Sequence, residues 1–130
     1  MAQTVADIME RSEQTVHCQS SIADAERLLA SRGLSGAPMV STDGHVLGVV
    51  SITDITRFRY EHAKEDPTDR MVFEIGTPVT ITVSASATLQ DAARDLSEHQ
   101  VHRLVVVRGG VPVGIVTALD IVAQVARGNV

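Results

Sequence analysis

Apolar residues along this chain follow two rhythms in alternation, and the alternation occurs twice. At Ile22, Ala25 and Leu29, and again at Leu89, Ala92, Ala93 and Leu96, they recur every three to four residues. That is the period of a helix with one buried stripe. Each stripe follows a hydroxyl residue with an acid three places later, Ser21 with Asp24 and Thr88 with Asp91, which predicts a capping box at the helix start. Gly33 suits the end of the first helix, and Gln100 stands at that place in the second. Beyond each helix the pattern changes to near-continuous apolar runs, 37–40 with 46–50, and 104–107 with 113–116. Such runs predict strands buried on both faces. Ser41-Thr42-Asp43-Gly44 and Arg108-Gly109-Gly110 separate them and predict hairpin turns. Pro112, which has no N–H to donate, then belongs at a strand start or on an edge. A short strand precedes each helix, at 15–17 and 80–83. A second helix follows each hairpin, from about Asp54 towards His62 and from Asp120 towards Arg127.

The two halves are copies of one unit. Shifted by 67 residues (15 onto 82), Thr15-Val16 falls on Thr82-Val83, Asp24-Ala25 on Asp91-Ala92, Arg27 on Arg94, Leu29 on Leu96 and Val40 on Val107. One residue is lost in the hairpin turn, after which Gly44, Gly48, Val50 and Asp54-Ile55 match Gly110, Gly114, Val116 and Asp120-Ile121. A period this long means a whole supersecondary unit. The fold class is therefore α/β (α+β), with two β-α-β-β-α motifs. The domain division is 1–66 for the first motif, with an N-terminal segment and the start of a linker, and 67–130 for the second. The charged stretch 61–70, EHAKEDPTDR, reads as that linker.

Composition narrows the function. Of 130 residues 44% are hydrophobic but only 2% aromatic, so the core is built from Val, Ile, Leu and Ala. The net charge of −5 and pI near 5.4 oppose the basic face that nucleic-acid binding needs. One cysteine, Cys18, makes no internal disulfide, completes no zinc pattern, and is expected to be a small buried residue. The start MAQTVADIMERSE is acidic without an apolar run, and no stretch is long enough to span a membrane. A cytoplasmic protein is expected, with no membrane contact and no nucleic acid.

Five features bear on candidate chemistry. Ser51 with Asp54, and Thr117 with Asp120, repeat the hydroxyl-to-acid spacing at a strand-to-helix junction. One reading is a helix cap and nothing more. The other is a binding site: a helix start offers free amides and partial positive charge to a phosphate, and a carboxylate accepts from a ribose diol. Gly48 and Gly114 interrupt apolar strands, which suggests close backbone packing. His102-Arg103 precedes a buried strand, where arginine is either a solvated charge or a forked donor to phosphate. His99 and His102 stand three apart but lack a third ligand, so no metal site is expected. The run Arg57-Phe58-Arg59-Tyr60 is expected on a helix surface, with a dimer contact. No nucleophile stands beside a base with an orienting third group, so no catalytic residues and no enzyme activity are expected.

The strings GVVSITDI (48–55) and GIVTALDI (114–121) resemble the closing signature of CBS motifs, and the resemblance covers nearly the whole chain in two copies. VHRLVVV (101–107) is similar to the segment found in adenosine-nucleotide-sensing members. Many members enter the second motif through Met-Thr-Pro. Here Ile75-Gly76-Thr77 stands instead, and the first copy keeps Met9 without the Thr-Pro. The resemblance implies two motifs in pseudo-twofold symmetry with clefts between them, a free-standing CBS pair (a Bateman module), and frequent homodimers. It also implies a regulatory role through binding of AMP, ADP or ATP, with no required cofactor. By resemblance Val101 and His102 face the cleft of Ser51 and Asp54, with Thr77 and Ile81 at its base. Arg103 reaches phosphates in the cleft of Thr117 and Asp120, with Leu34 and Ser35 opposite. The copies differ, Ser35-Gly36 standing where the second has His102-Arg103, so unequal affinities are expected. A sensor of S-adenosylmethionine, and a ligand-free homodimer that docks an unidentified protein target, are the alternatives.

Overall fold

The computed structural model describes residues 3–12, 14–78 and 81–130. The chain divides into two compact units, one running from Gln14 to Thr80 and the other joining Met1–Glu13 to Ile81–Val130. Repeats in the sequence and compact bodies in space are thus different divisions of this chain.

In the unit 14–80, strand β2 (Val16–His17) leads into helix α2 (Ile22–Arg32), the hairpin β3 (Gly36–Val40) and β4 (Val46–Ser51), and helix α3 (Ile52–Glu61). A 3₁₀ turn, Val72–Glu74, then precedes strand β5 (Thr77–Pro78). The sheet order is β2-β3-β4-β5, with β2 parallel to β3 and the other pairs antiparallel. Its core joins Ile22, Ala25 and Leu29 of α2 to Ala37, Met39, Val50, Ile55, Phe58 and Val72. Pro38 and Val49, on alternate positions of the strands, are also fully buried. The apolar runs are therefore covered on both faces, as their composition implies.

The other unit is built alike, with an N-terminal addition. Helix α1 (Val5–Ile8) and strand β1 (Glu10–Arg11) come from the chain start, followed by β6 (Thr82–Ser84), α4 (Leu89–Glu98), β7 (Arg103–Arg108), β8 (Val111–Thr117) and α5 (Ala118–Ala126). The order is β1-β8-β7-β6. β1 adds antiparallel to β8 with Glu10 opposite Ile115 and Arg11 opposite Gly114. Val5 and Met9 enter the core beside Leu89, Ala92, Leu96, Leu104, Val116 and Ile121. Each sheet is thus completed by the segment that precedes the other repeat: 3–11 serves the second copy, and 72–78 the first.

Several sequence expectations change in detail. The early strands are Val16–His17 and Thr82–Ser84; Thr80, the expected start of the latter, lies outside the described residues. Arg108 is part of β7 and pairs with Val111, which leaves a two-residue turn. Gly109 and Gly110 have φ of 59° and 79°, the pair of positive values that a tight hairpin turn requires. Pro112 is the second residue of β8 and pairs with Val107 where the register shifts, an irregularity that accommodates a missing donor. Helices α3 and α5 begin two residues before Asp54 and Asp120, so each acid is the third residue of its helix and not the first. Thr88 and Asp91 form the reciprocal box. Ser21 caps Asp24 N–H at 3.0 Å, but the Asp24 carboxylate turns outward to Arg27 at 3.1 Å.

The stretch 61–70 does more than link. Ile22 N–H donates to Arg70 O at 2.9 Å and Ala23 N–H to Pro67 O at 3.1 Å, so it satisfies the first amides of α2. Phe58, expected on the surface, is a core residue; it stacks on His62 at 5.2 Å under the guanidinium of Arg70. Arg70 also pairs with Glu65 and Glu74. Arg59 forks onto Glu26, Nε to Oε2 at 2.9 Å and Nη2 to Oε1 at 2.5 Å. These bonds hold the Glu26 carboxyl below its ordinary pKa. Its share of stability is therefore present above the unfolded-state value and lost as pH falls through the lower folded one. Because both groups are part-exposed, Glu26→Gln is expected to cost about 0.5 kcal/mol at neutral pH. The difference from wild type should vanish on acidification, as urea titrations at several pH values would read.

Gly33 ends α2 with φ of 64°, a conformation that suits glycine. The matching residue Gln100 has φ of 52°, in the left-handed region without glycine's tolerance. Gln100→Gly is expected to raise stability by up to about 1 kcal/mol, the relief of strain exceeding glycine's entropy cost. Thermal unfolding of the two proteins is the measurement, and a lowered midpoint is the contrary result.

Candidate functional site

At the junction of β4 and α3, Ser51 pairs with Gly36 across the hairpin and Ile52 N–H donates to Ser35 O at 2.9 Å. Asp54 N–H donates to Ser51 Oγ at 3.2 Å. In return Asp54 Oδ2 accepts from Ser51 N–H at 2.9 Å and Ser51 Oγ at 3.0 Å. Arg57 Nη1 stands 3.8 Å from the other oxygen, Oδ1. Ser51 and Asp54 are 7% and 6% exposed, so this cap is sealed. Thr77, on β5, lies opposite Val49, two residues before Ser51, and is exposed. Leu34 and Ser35 follow the end of α2, with Leu34 N–H bonded to Leu29 O. Within this unit the structure therefore brings Leu34, Ser35, Ser51, Asp54 and Thr77 to one end of the sheet.

The junction of β8 and α5 has the same frame with different contents. Arg103 is the cross-strand partner of Thr117, and Ala118 N–H donates to His102 O at 2.8 Å. Asp120 N–H donates to Thr117 Oγ1 at 3.1 Å, and Thr117 N–H to Asp120 Oδ2 at 2.8 Å. The capping bonds leave Asp120 Oδ1 outside them. Thr117, Asp120, Arg103 and Val101 are half-buried and His102 is exposed. Ile81, one residue before β6, packs half-buried against the core of this unit. Thus Val101, His102, Arg103, Thr117 and Asp120 gather at one sheet end, with Ile81 on the neighbouring strand's approach.

Both readings of the hydroxyl-acid pairs meet here. They are reciprocal caps, and the free amides expected at each helix start are mostly in use. Of the first three amides of α3, Ile52 and Asp54 are bonded, which leaves that of Thr53; of α5, Ala118 and Asp120 are bonded, which leaves that of Leu119. A phosphate at either helix would find one amide, so side-chain cations must supply most of its hold. Arg103, the cross-strand partner of Thr117, is a cation at the β8–α5 junction. Opposite Ser51, Gly36 offers none.

The glycines of both signatures pack closely, as their place in apolar strands implies. A Cβ on Gly48 would lie 2.3 Å from Thr77 O, and one on Gly114 2.6 Å from Glu10 O. His99 caps the end of α4 and His102 lies beyond it, so the two imidazoles do not share a helix. Among the described residues no three His, Cys, Asp or Glu side chains form a metal-binding group. Cys18 is half-buried, less enclosed than expected; its N–H donates to Val40 O and its carbonyl accepts from Phe73 N–H. Among the described residues no helix is long and apolar enough to cross a membrane.

Two β-α-β-β-α units, each closing on a capped strand-to-helix junction, define a tandem α+β pair. The family model for the CBS domain matches residues 5–61 and 72–127, and the chain belongs to the CBS domain family, with two repeats. It is 30% identical over 133 residues to the uncharacterized protein MJ1404 of Methanocaldococcus jannaschii, covering 94% of this chain and 32% of that one. The chain spans 32% to 42% of the length of four curated relatives that it matches. Among solved structures, CBSX2 of Arabidopsis thaliana, seen in complex with AMP, is 28% identical with TM-score 0.66, over 99% of this chain and 100% of that one. The CBS pair of protein MJ0100, in complex with 5'-methylthioadenosine and S-adenosyl-L-methionine, is 25% identical with TM-score 0.68, over 95% and 99%.

Proposed function

We propose that this chain is a regulatory ligand-binding module that takes an adenosine nucleotide (AMP, ADP or ATP) and reports its presence through packing against a second copy or a protein target. The observation that carries the reading is Arg103 placed across the strand pair from Thr117, at a helix whose third residue is Asp120. A guanidinium for phosphate and a carboxylate with an oxygen outside its cap for a ribose diol are the two groups a nucleotide needs. Similarity to CBS pairs solved with AMP and with 5'-methylthioadenosine and S-adenosyl-L-methionine supports an adenosine ligand. Binding, not turnover, is the role assigned.

Output requires that the ligand favour one packing state over another. Helix α5 supports this: Leu119, Val122 and Val125 are 74%, 58% and 53% exposed, an apolar face suited to a partner. Sedimentation equilibrium with and without nucleotide reads the association directly.

Titration calorimetry of ligand-stripped protein against AMP, ADP, ATP and S-adenosyl-L-methionine tests the reading. Nucleotide at a hundred times its Kd is expected to stabilise the fold by about 2.7 kcal/mol, visible as a raised Tm. Silence with all three nucleotides would remove the proposal. Heat with S-adenosyl-L-methionine alone would replace it by a sensor of S-adenosyl-L-methionine.

A further inference from the structure

The second repeat ends on a helix whose outer face is apolar, and we infer that this face joins two copies of the chain, α5 laid antiparallel on α5 about a twofold axis. The inference rests on the packing half of the reading above, whose partner it names, and it needs no nucleotide.

The fold does not require this face to be apolar, because the first repeat builds the same helix without it. Leu119, Val122 and Val125 stand where α3 has Thr53, Thr56 and Arg59, and both sets are exposed, so neither belongs to a core. Ala123 and Ala126 likewise stand where α3 has Arg57 and Tyr60. In the first repeat Arg59 is engaged by Glu26 of α2; at the two matching places the second repeat has Val125 and Ala93. From Ile121 to Ala126 the helix carries no charge. Apolar side chains held in water where polar ones would serve gain free energy only when something covers them.

The edge of the face selects the occupant. Arg127 N–H donates to Ala123 O at 3.2 Å, so the helical turn extends to Arg127. At about 100° per residue, Leu119, Val122, Val125 and Ala126 share one arc, and Asp120 and Arg127 lie along the same edge of it, two turns apart. A twofold axis across the middle of α5 reverses the second helix but keeps each edge on its own side. Asp120 therefore meets the partner's Arg127, and the contact occurs twice. Parallel helices would set these edges on opposite sides and leave the charges unmatched. Among the described residues neither side chain has an ion-pair partner within the chain, and the cap of α5 leaves Asp120 Oδ1 outside it. A membrane surface would call for cations along the edges, whereas here one acid and one base cancel on a chain of net charge −5. Helix α5 has nine residues, a length of about 13 Å. One such face falls short of the roughly 800 Å² per partner that a stable complex buries, so the dimer exchanges with monomer.

Sedimentation equilibrium of the intact, ligand-stripped chain is expected to show monomer and dimer in concentration-dependent exchange. Val122→Glu, which brings a charge into the middle of the contact, should weaken association at least about 10-fold. Arg127→Glu, at the edge, should weaken it by roughly 3- to 10-fold. Cysteine cross-linking then reads the orientation, with Cys18→Ser removing the native thiol. Val122→Cys should give a disulfide-linked dimer on oxidation, because the axis passes close to that residue. Leu119→Cys should not, since antiparallel helices hold the two copies of that residue about 13 Å apart and only parallel ones set them side by side. A monomer at every concentration, a dimer indifferent to Val122→Glu, no cross-link at Val122, or a cross-link at Leu119 would overturn the inference. None of these results touches the nucleotide titration, which judges the ligand reading separately. If the chain with Cys18→Ser does not fold, sedimentation of the wild type and of the two surface variants still decides.

Discussion

Gly114→Val is expected to strip strand β1 from its sheet and to cost about 3 kcal/mol or more of stability. The added Cβ would stand 2.6 Å from Glu10 O and 2.7 Å from Met9 Sδ. The sulfur belongs to a flexible side chain and can move. The carbonyl belongs to the backbone of β1, where Arg11 is paired with Gly114 itself, so it moves only if the pairing opens. Two routes remain, and they cost similar amounts. Keeping β1 in place forces overpacking in a buried strand, commonly about 1–3 kcal/mol for an added methyl and more for a branched side chain. Releasing β1 loosens α1 as well, and Val5, fully buried in this core, returns to water at about 1.5–3 kcal/mol. Urea unfolding gives the total. Hydrogen exchange distinguishes the routes, since release exposes the amide of Ser12, which donates to Val113 O at 3.0 Å. An unchanged unfolding midpoint would contradict the close approach. Gly48 is the counterpart against Thr77 O, and Gly48→Ala should loosen β5 in the same way.

Asp54→Ala is expected to destabilise the fold by about 2–3 kcal/mol, roughly twice or more the effect of Asp120→Ala. The two acids occupy the same position in the same motif, so any difference between them reports environment. Removing Asp54 strips the buried Ser51 amide and hydroxyl of their acceptor, and water cannot reach a site this enclosed. A buried donor without a partner costs about 1–3 kcal/mol, in addition to the lost cap. At Asp120 one amide loses its acceptor, and the part-exposed site lets water replace it, so about 1 kcal/mol is expected. Parallel chemical unfolding of the two variants, without ligand, measures the difference. Equal losses would mean that burial at Asp54 does not govern its role.

Much of the fold was legible in the sequence because it is written in local terms. The helical stripe of Ile22, Ala25 and Leu29 and the hydroxyl-acid pairs act over three or four residues, and all four such pairs do cap a helix. Gly48 and Gly114 announced close packing by breaking apolar strands. Short pieces were not legible. β1 and β5 are two residues each, too short to show a period, and they find partners far along the chain. Phe58 lay in a run that looked like surface, because the apolar side chain among its charged neighbours is turned inward by helical spacing from Asp54 and Ile55.

The candidate site divides along the same line. Residue order by itself determined that this chain carries one unit twice, that each copy closes on a hydroxyl-acid cap, and that only the second places an arginine before its buried strand. Those properties depend on neighbours in sequence and on side-chain chemistry. Tertiary structure decided which cap is sealed and which amides are spent: the carbonyls that take Ile52 N–H and Ala118 N–H come from Ser35 and His102, across each hairpin. It also decided that Arg103 stands opposite Thr117 and that each sheet borrows its last strand from the segment before the other repeat. Strand register and burial are collective outcomes of packing, so the same three-residue spacing yields an enclosed carboxylate in one copy and a reachable one in the other.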